Sequence, residues 1–246
     1  MKIEIYFTPQ EFTEERLKDQ TAVVVDVLRS CTTVCAALAA GAKEIIPAES
    51  VSSAIELASH LSKDAILLCG EREGKLIQGF HLGNSPLEYL PETVKNKTLV
   101  FGSTNGSPAV VKTRLARRTL IGSFVNLSSV VDGLAAASDP IHIICAGKAG
   151  QFALEDAVCA GNILSELRPR CGGTLELSDG ATAALLLFEQ FKNSIGDLVA
   201  QSQHGRYLAS IGMEADLPVC ADVNRIPVLP VYKDGKIRLA KEKASR

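Results

Sequence analysis

Seven short apolar runs, KIEIYF, TAVVVD, EIIPA, AILLC, TLVFG, TLIG and IHIICA, recur along the chain with helical-period segments between them. TTVCAALAAG, SVSSAIELASHLS, SPAVVKTRLA, NLSSVVDGLAAAS and LEDAVCAGNILSEL place apolar residues near i, i+3, i+4 and i+7, several behind a Ser, Thr or Asn suited to capping a helix. Continuously apolar strands alternating with amphipathic helices bury a sheet on both faces. The pattern therefore predicts an α/β chain with three layers, a largely parallel or mixed β-sheet carrying helices on both sides. A length of 246 residues suits one compact domain spanning 1–246. Two stretches break the rhythm. Residues 71–91, EREGKLIQGFHLGNSPLEYLP, are too rich in Gly and Pro and too long for an ordinary connection, and read as a functional loop excursion. Residues 226–241, with two Pro and a DG turn between apolar alternations, read as a C-terminal edge hairpin.

Four of the strands end in the same way. The exits VVVDVLRSCTT, LVFGSTNGSPA, LIGSFVNLSS and IICAGKAGQFALED all run from an apolar strand through small polar residues into a helix. In an open parallel sheet, ligands bind outside the carboxyl ends of the strands, so four such exits predict one shared site. At any single exit these residues can simply cap a helix. In GSTNGSP, Gly102 and Gly106 bracket three polar residues, and the backbone N–H groups are expected to cradle phosphate, sulfonate or carboxylate.

Composition narrows the ligand. A net charge of −2 with no run of Lys and Arg gives no field for a nucleic acid, and no Trp with only four Tyr gives little for an aromatic recognition surface. No stretch is long and apolar enough for a signal peptide or a membrane span, so the expectation is a cytoplasmic protein with no membrane partner. The seven Cys include no CxxC pair, and no two of the four His lie within five residues, so core thiols are expected rather than a zinc site of the usual spacing. A hard, oxygen-bound metal stays open.

Familiar phosphate motifs do not fit. GEREGKL is one residue short of a Walker A loop and has Leu76 where Ser or Thr would hold magnesium. No GxGxxG follows a strand, no Cys has an Arg six residues on, and the second Asp of an aspartate-nucleophile phosphatase is replaced by Leu28. What remains is Asp26 with Arg29, Glu71 with Arg72, and Glu155 with Asp156 beside Lys148. Each group can be an ordinary salt bridge. Together they supply carboxylates for a magnesium ion and cations for a phosphoryl group.

In order, VVVDVLRSCTT, GFHLGNSPLEY, STNGS, IGSFVNLSS and CAGKAGQFALEDAVCAG resemble the signature segments of the 2-phosphosulfolactate phosphatase family of coenzyme M biosynthesis, and the likeness continues into DLPVCADVNRIPVLP. The resemblance implies a Mg2+-dependent acid phosphatase that hydrolyses (R)-2-phospho-3-sulfolactate to 3-sulfolactate and phosphate. It also implies an α/β fold distinct from haloacid-type phosphatases, and association as a homodimer. Phosphate, sulfonate and carboxylate on three carbons form a small, multiply anionic substrate, which accounts for several polar exits. On this reading Asp26, Glu155 and Asp156 are the catalytic candidates, and Asp26, Glu71 and Asp156 the magnesium candidates. Arg29, Arg72 and Lys148 hold anionic groups of the substrate, while Ser30, Asn84, Ser85, Thr104, Asn105, Gly106, Ser107 and Asn126 supply neutral contacts. Three alternatives stay open: a different 2-phospho acid as substrate, a phosphorylated Asp26 in place of direct attack by water, and a non-catalytic sensor of small anions. Carboxylates beside a sensor's anion site would repel the ligand unless a cation intervened.

Overall fold

The computed structural model describes residues 1–62, 65–172 and 175–240. All seven expected strands form: β1 (Lys2–Tyr6), β2 (Thr21–Val25), β3 (Glu44–Ala48), β4 (Ile66–Arg72), β6 (Thr98–Gly102), β7 (Arg118–Gly122) and β8 (Ile141–Cys145). Between them run α1 (Ser30–Ala39), α2 (Val51–Ser59), α4 (Gly106–Val111), α5 (Leu127–Ala135) and α6 (Leu154–Leu167). Ser50 closes a capping box with Ser53 at the start of α2, and Ser178 caps α7 (Asp179–Phe191), so the hydroxyls ahead of those apolar periods act as helix starts. Three shorter helices follow: α8 (Ile195–Gln201), α9 (Gln203–Ser210) and α10 (Asp216–Ala221). Among the described residues no helix is long and apolar enough to cross a membrane.

The excursion at 71–91 is part secondary structure. Strand β5 (Lys75–Leu76) folds back on β4 as a small antiparallel hairpin, and helix α3 (Pro91–Val94) returns the chain to β6. Between them Gly70 N donates to Leu82 O at 2.9 Å and Tyr89 Oη to Gly83 O at 2.7 Å, which ties the loop to the sheet edge.

The C-terminal hairpin corrects the sequence expectation. Strands β10 (Pro230–Lys233) and β11 (Lys236–Leu239) lie inside the sheet, whose order is β5-β4-β6-β3-β11-β10-β7-β2-β8-β1-β9, with β9 at Glu176–Leu177. Lys241, the last residue of the expected hairpin, lies outside the described residues. The two prolines do not oppose this placement: Pro227 precedes the strand and Pro230 is its first residue, where a missing N–H interrupts little of the ladder. The ladder itself is thin, with Ile237 opposite Ile45 on one side and Val231 and Tyr232 opposite Leu120 and Thr119 on the other. Glu44 reinforces it, accepting from Lys236 Nζ at 2.9 Å and from Arg238 Nε at 2.9 Å.

The inserted hairpin separates two parallel blocks, β4-β6-β3 and β7-β2-β8-β1-β9, and pairs antiparallel with both. The blocks therefore run in opposite senses along the ladder. Right-handed twist curls the sheet around α1 and α4, so that Val24 and Ile121 of one block share a core with Ile45, Leu99 and Phe101 of the other, alongside Val34, Leu38, Ala109 and Val110. On the far face of the larger block, α5, α6 and α7 pack over Ile3, Val23, Leu120 and Ile143. On the far face of the smaller one, α2 covers Ala48 and Val100. The layers are those expected, and the curl brings exits from both blocks to one place.

Candidate active site

That place is a cavity of about 150 Å³ lined by Asp26, Arg29 and Ser30 after β2, Glu71, Glu73 and Gly74 at the β4–β5 turn, Thr104 and Asn105 after β6, and Lys148 and Ala149 after β8. Asn84 comes in from the excursion, and His204 and Tyr207 from α9. Three of the four expected exits thus converge. The fourth does not: after β7, Ser123 and Asn126 are fully buried. Asn126 accepts from Ser123 N at 2.9 Å and donates to Ile121 O at 2.9 Å and Val228 O at 3.1 Å, so its amide organises the turn and the approach to the C-terminal hairpin.

The opening of α1 explains its run of hydroxyls. Asp26 is 4% exposed, and its Oδ1 accepts from Ser30 N at 3.2 Å in the manner of a cap. Thr32 Oγ1 donates to Val27 O and meets Ser123 Oγ at 2.7 Å, while Thr33 Oγ1 donates to Asn84 O at 2.8 Å. Thr32 staples the β7 exit, Thr33 the excursion at Asn84, and Ser30 lines the cavity. Burial pushes the Cys31 thiol well up, and its Sγ lies 3.4 Å from Val24 O, which leaves no thiolate at this exit. Gly106 has to be glycine here, because a Cβ would come within 2.7 Å of Ser30 Oγ and collide with Asp26 Oδ2.

None of the sequence-adjacent charge pairs closes on itself. Arg29, 2% exposed, bonds through Nη1 to Asp216 Oδ2 at 2.5 Å and through Nη2 to Gly74 O at 2.8 Å, and Ser85 Oγ donates to the other oxygen of Asp216 at 2.5 Å. Ser85 thus orients the partner of Arg29 from outside the cavity lining. Arg72 alternates to the opposite side of β4 from Glu71 and is exposed. Glu71 receives Gly74 N at 2.6 Å on Oε2 and Thr104 N at 2.7 Å on Oε1. In the GSTNGSP loop, expected to cradle an anion of the ligand, the Thr104 N–H is taken by a carboxylate of the chain itself. Ser107 and Ser103 exchange hydrogen bonds within that loop, at 3.2 Å from Ser103 N and 2.9 Å from Ser107 N, and Ser107 lies outside the cavity lining.

Asp156 is also structural in its bonds. Its two oxygens accept from Val27 N at 2.9 Å and Gly147 N at 3.0 Å, bracing the β2 exit against the β8 exit just behind the cavity. Glu155, 1% exposed, stands with Oε1 3.5 Å from His204 Nδ1. Asn105 Oδ1 accepts from Ala149 N at 2.9 Å and so joins the β6 and β8 exits. Lys148 lies over the Tyr207 ring, 4.5 Å from its centroid, and Tyr207 Oη donates to Glu73 O at 3.0 Å.

The electrostatics follow from burial with no lysine or arginine bonded to Asp26 or Asp156. Burial pushes the Asp26 carboxyl above the ordinary carboxylate range; His204 and the bonds from Ser30 pull it back in part, and Glu71 adds to the rise. Burial, followed by the charges of Asp26 and Glu155, pushes Asp156 further up against its two backbone bonds. Burial lowers the Lys148 ammonium, with Glu155 opposing and Arg206 adding to the effect. Among the charged side chains lining the cavity, Asp26, Glu71 and Glu73 face Arg29 and Lys148, and Arg29 is already paired with Asp216. A multiply anionic ligand meets a wall that is not cationic unless a metal ion joins it.

The donor set fits a hard cation. Among the described residues no three His, Cys, Asp or Glu side chains are gathered to hold a metal by themselves. Magnesium does not need such a cage, since it retains waters and takes one or two carboxylates together with substrate phosphate. Asp26 and Glu71 supply carboxylates, and Asn84 Oδ1 and Thr104 Oγ1 are buried oxygens without a hydrogen-bond partner, both at the cavity wall. Buried polar atoms are rarely left so, and two at one cavity indicate a ligand or its hydration shell.

Glu73, Gly74, Ala149, His204 and Tyr207 in the lining, and Asp216 behind Arg29, are residues that sequence reasoning missed. DLPVC carried part of the family likeness and was the available signal for Asp216. A lone His and a lone Tyr on a short polar helix carried none.

Comparison with known proteins identifies the family. The family model described as 2-phosphosulpholactate phosphatase matches residues 6–235. A probable 2-phosphosulfolactate phosphatase of Caldanaerobacter subterraneus subsp. tengcongensis is 35% identical over 242 residues, covering 98% of this chain and all of that protein. Proteins given the same description are 40% identical over 229 residues in Symbiobacterium thermophilum, covering 92% of this chain and 96% of that one, and 38% identical over 216 residues in Thermotoga maritima, covering 88% and 90%. The chain belongs to the 2-phosphosulpholactate phosphatase family, a family of phosphoric monoester hydrolases.

Proposed function

We propose that this protein hydrolyses (R)-2-phospho-3-sulfolactate to 3-sulfolactate and phosphate with Mg2+, in the cytoplasm and on the route to coenzyme M. The observation that carries the proposal is the cavity itself. A volume of about 150 Å³ is below the range of roughly 300–1,000 Å³ typical for drug-sized ligands and suits a three-carbon acid. Its wall combines buried carboxylates, a positioned guanidinium and ammonium, and unpartnered neutral oxygens. Seven free cysteines, six of them buried, accord with a reducing compartment. Association as a homodimer belongs to the same proposal.

Asp26, with Glu71 beside it, would hold the magnesium ion, which when bound neutralises charge on the phosphoryl group and polarises its oxygens. The chain's own residues perform the remainder. Lys148 approaches from the β8 exit and supplies a cation held in place by Tyr207. Arg29, fixed by Asp216 and Gly74 O, presents a guanidinium edge whose position is set before substrate arrives, so little is lost in ordering it. Asn84 and Thr104 offer hydrogen bonds to substrate oxygens or to the waters that accompany them. Asp156 acts at one remove by holding the exits of β2 and β8 in register.

Phosphate release from 2-phospho-3-sulfolactate, measured with added Mg2+ and again with a chelator, tests the proposal. Release that needs Mg2+ and falls sharply for 2-phospholactate supports it. Equal turnover without the sulfonate would assign the enzyme to another 2-phospho acid.

A further inference from the structure

His204 is a group that the sequence did not single out and that the phosphatase reading above does not use. It lies in the first turn of α9, whose start is fixed by Ser202 accepting from Gly205 N at 2.9 Å. Its ring lines the 150 Å³ cavity and also an adjoining groove of about 280 Å³ formed with Lys148, Glu155, Ser202 and Arg206. Behind it, Glu155 Oε1 stands 3.5 Å from Nδ1. The side chain of Glu155 is 2% exposed and that of His204 is 13% exposed, so the carboxylate is removed from water while the imidazole keeps limited access to it.

A buried carboxylate near one nitrogen of an imidazole that lines a ligand cavity is the arrangement that orients the ring and leaves the second nitrogen to move a proton. The separation is longer than a strong hydrogen bond, and such contacts in ligand-free sites commonly tighten when substrate binds. The cavity supplies the reason for a proton donor. Cleaving an alkyl phosphate expels an alkoxide, a poor leaving group, while Arg29 is engaged by Asp216 and Gly74 O and Lys148 stands over the Tyr207 ring.

We propose that His204, oriented by Glu155, is the general acid that protonates the leaving oxygen of the phosphate ester. This rests on the phosphomonoesterase reading given above. In the step, the bond between phosphorus and the ester oxygen breaks and its electron pair stays on that oxygen. His204 enters the step as the imidazolium, its Nδ1–H towards Glu155, and the proton on Nε2 moves to that oxygen and completes the hydroxyl of the product. A water oxygen forms the new bond to phosphorus, and one of the water's protons returns the imidazole to its starting state, directly or through the solvent-open groove. Ester and water thus give alcohol and phosphate with nothing else consumed. His204 is a catalytic residue on this account and Glu155 a positioning residue.

The test compares the wild-type enzyme with His204→Gln and Glu155→Gln on two esters, 2-phospho-3-sulfolactate and 4-nitrophenyl phosphate, whose nitrophenolate needs no proton to leave. For His204→Gln, kcat on the alkyl ester is expected to fall by about 10²- to 10³-fold. The loss on the aryl ester should be less than about tenfold, since only the general-acid contribution is absent. Glu155→Gln should show the same bias at smaller size, about tenfold in kcat on the alkyl ester with KM little changed. The ¹⁸O isotope effect at the leaving oxygen of the alkyl ester reads the same event with one substrate. It should rise in His204→Gln, because negative charge then accumulates on an unprotonated oxygen. Equal losses on both esters, an unchanged isotope effect, or undiminished turnover in His204→Gln would overturn the assignment while leaving the phosphatase reading intact. A wild-type enzyme that releases phosphate from neither ester would overturn both.

Discussion

Two sets of buried carboxylates in this protein are treated in opposite ways. Glu4 in β1 and Glu44 in β3 are 6% and 5% exposed, and each is surrounded by cations: Lys2 and Arg16 around Glu4, Lys236 and Arg238 around Glu44. Burial alone would raise the Glu4 carboxyl, yet the bonds from Lys2, Tyr6 and Arg16 together bring it down to about 2. Glu44 is lowered by the same contest between burial and its two partners. Asp26 and Asp156, just as buried, have backbone N–H groups and Ser30 for partners, no lysine or arginine, and carboxyls pushed up. A carboxylate kept uncompensated is unfavourable in a resting fold and useful where a ligand or metal will supply the missing charge. The difference separates the acids that clamp sheet strands with cations from the acids at the strand exits around the cavity.

The comparison can be broken most forcefully at Asp26. Replacing it by Asn keeps the shape and removes the charge, and should lower kcat/KM by about 10³-fold or more, as expected for loss of an electrostatic centre in a water-poor site. The same variant should melt at a higher temperature than the wild type in metal-free buffer, because a costly buried charge has gone. Lower stability in Asp26→Asn would mean that the uncompensated carboxylate serves the fold after all. Next in size is Asp216→Ala. The Arg29–Asp216 pair is 2% and 3% exposed, and removing one partner of such a pair destabilises by about 3–5 kcal/mol, readable by urea unfolding. Activity should fall with it, since Arg29 then loses its fixed position.

Glu44→Gln sharpens the other side of the comparison. Lys236 and Arg238 are 37% and 57% exposed, so solvent screens the cluster and the expected loss is only about 1 kcal/mol, with kcat unchanged. Faster amide exchange confined to β10 and β11 would show that Glu44 clamps the inserted hairpin.

The smallest effect is in the pH dependence. Glu4 has a depressed folded-state pKa, so its contribution is fully present above about pH 4.5 and is lost as the pH falls towards about 2. Glu4→Gln should flatten the stability curve in that window alone. Asp26 has the opposite sign. Its carboxyl is raised, so the metal-free protein binds an extra proton on folding and loses stability as the pH climbs from the ordinary carboxylate value through the raised one. Asp26→Asn should remove that decline, and added Mg2+ should oppose it in the wild type.

Legibility differed between elements for physical reasons. Apolar period and cap chemistry are local, and so the strands up to β8 other than the short β5, and helices such as α2 and α7, were readable from short windows. Asp26, Ser30, Thr104, Asn105 and Lys148 were readable as site residues because a parallel sheet presents its strand exits to ligands. The β7 exit looked the same in sequence but turned inward, since Asn126 found backbone partners at Ile121 and Val228. Arg72 looked like Arg29, but the alternation of β4 sent it to the other face.

By itself the sequence determined an α/β layering, a cluster of polar exits and membership of one phosphatase family. Tertiary structure alone decided which charges meet. Arg29 bonds to Asp216 across 187 residues of chain, Glu44 reaches Arg238 across 194, and α9 swings His204 and Tyr207 over exits that belong to much earlier strands. The hairpin drawn as an edge became the centre of the sheet, and β4, β6 and β3 run opposite to β7, β2, β8, β1 and β9 on its other side. Periodicity reports the face a residue presents to its own element. Pairing between distant segments depends on sheet register and curl, which arise only when the whole core packs.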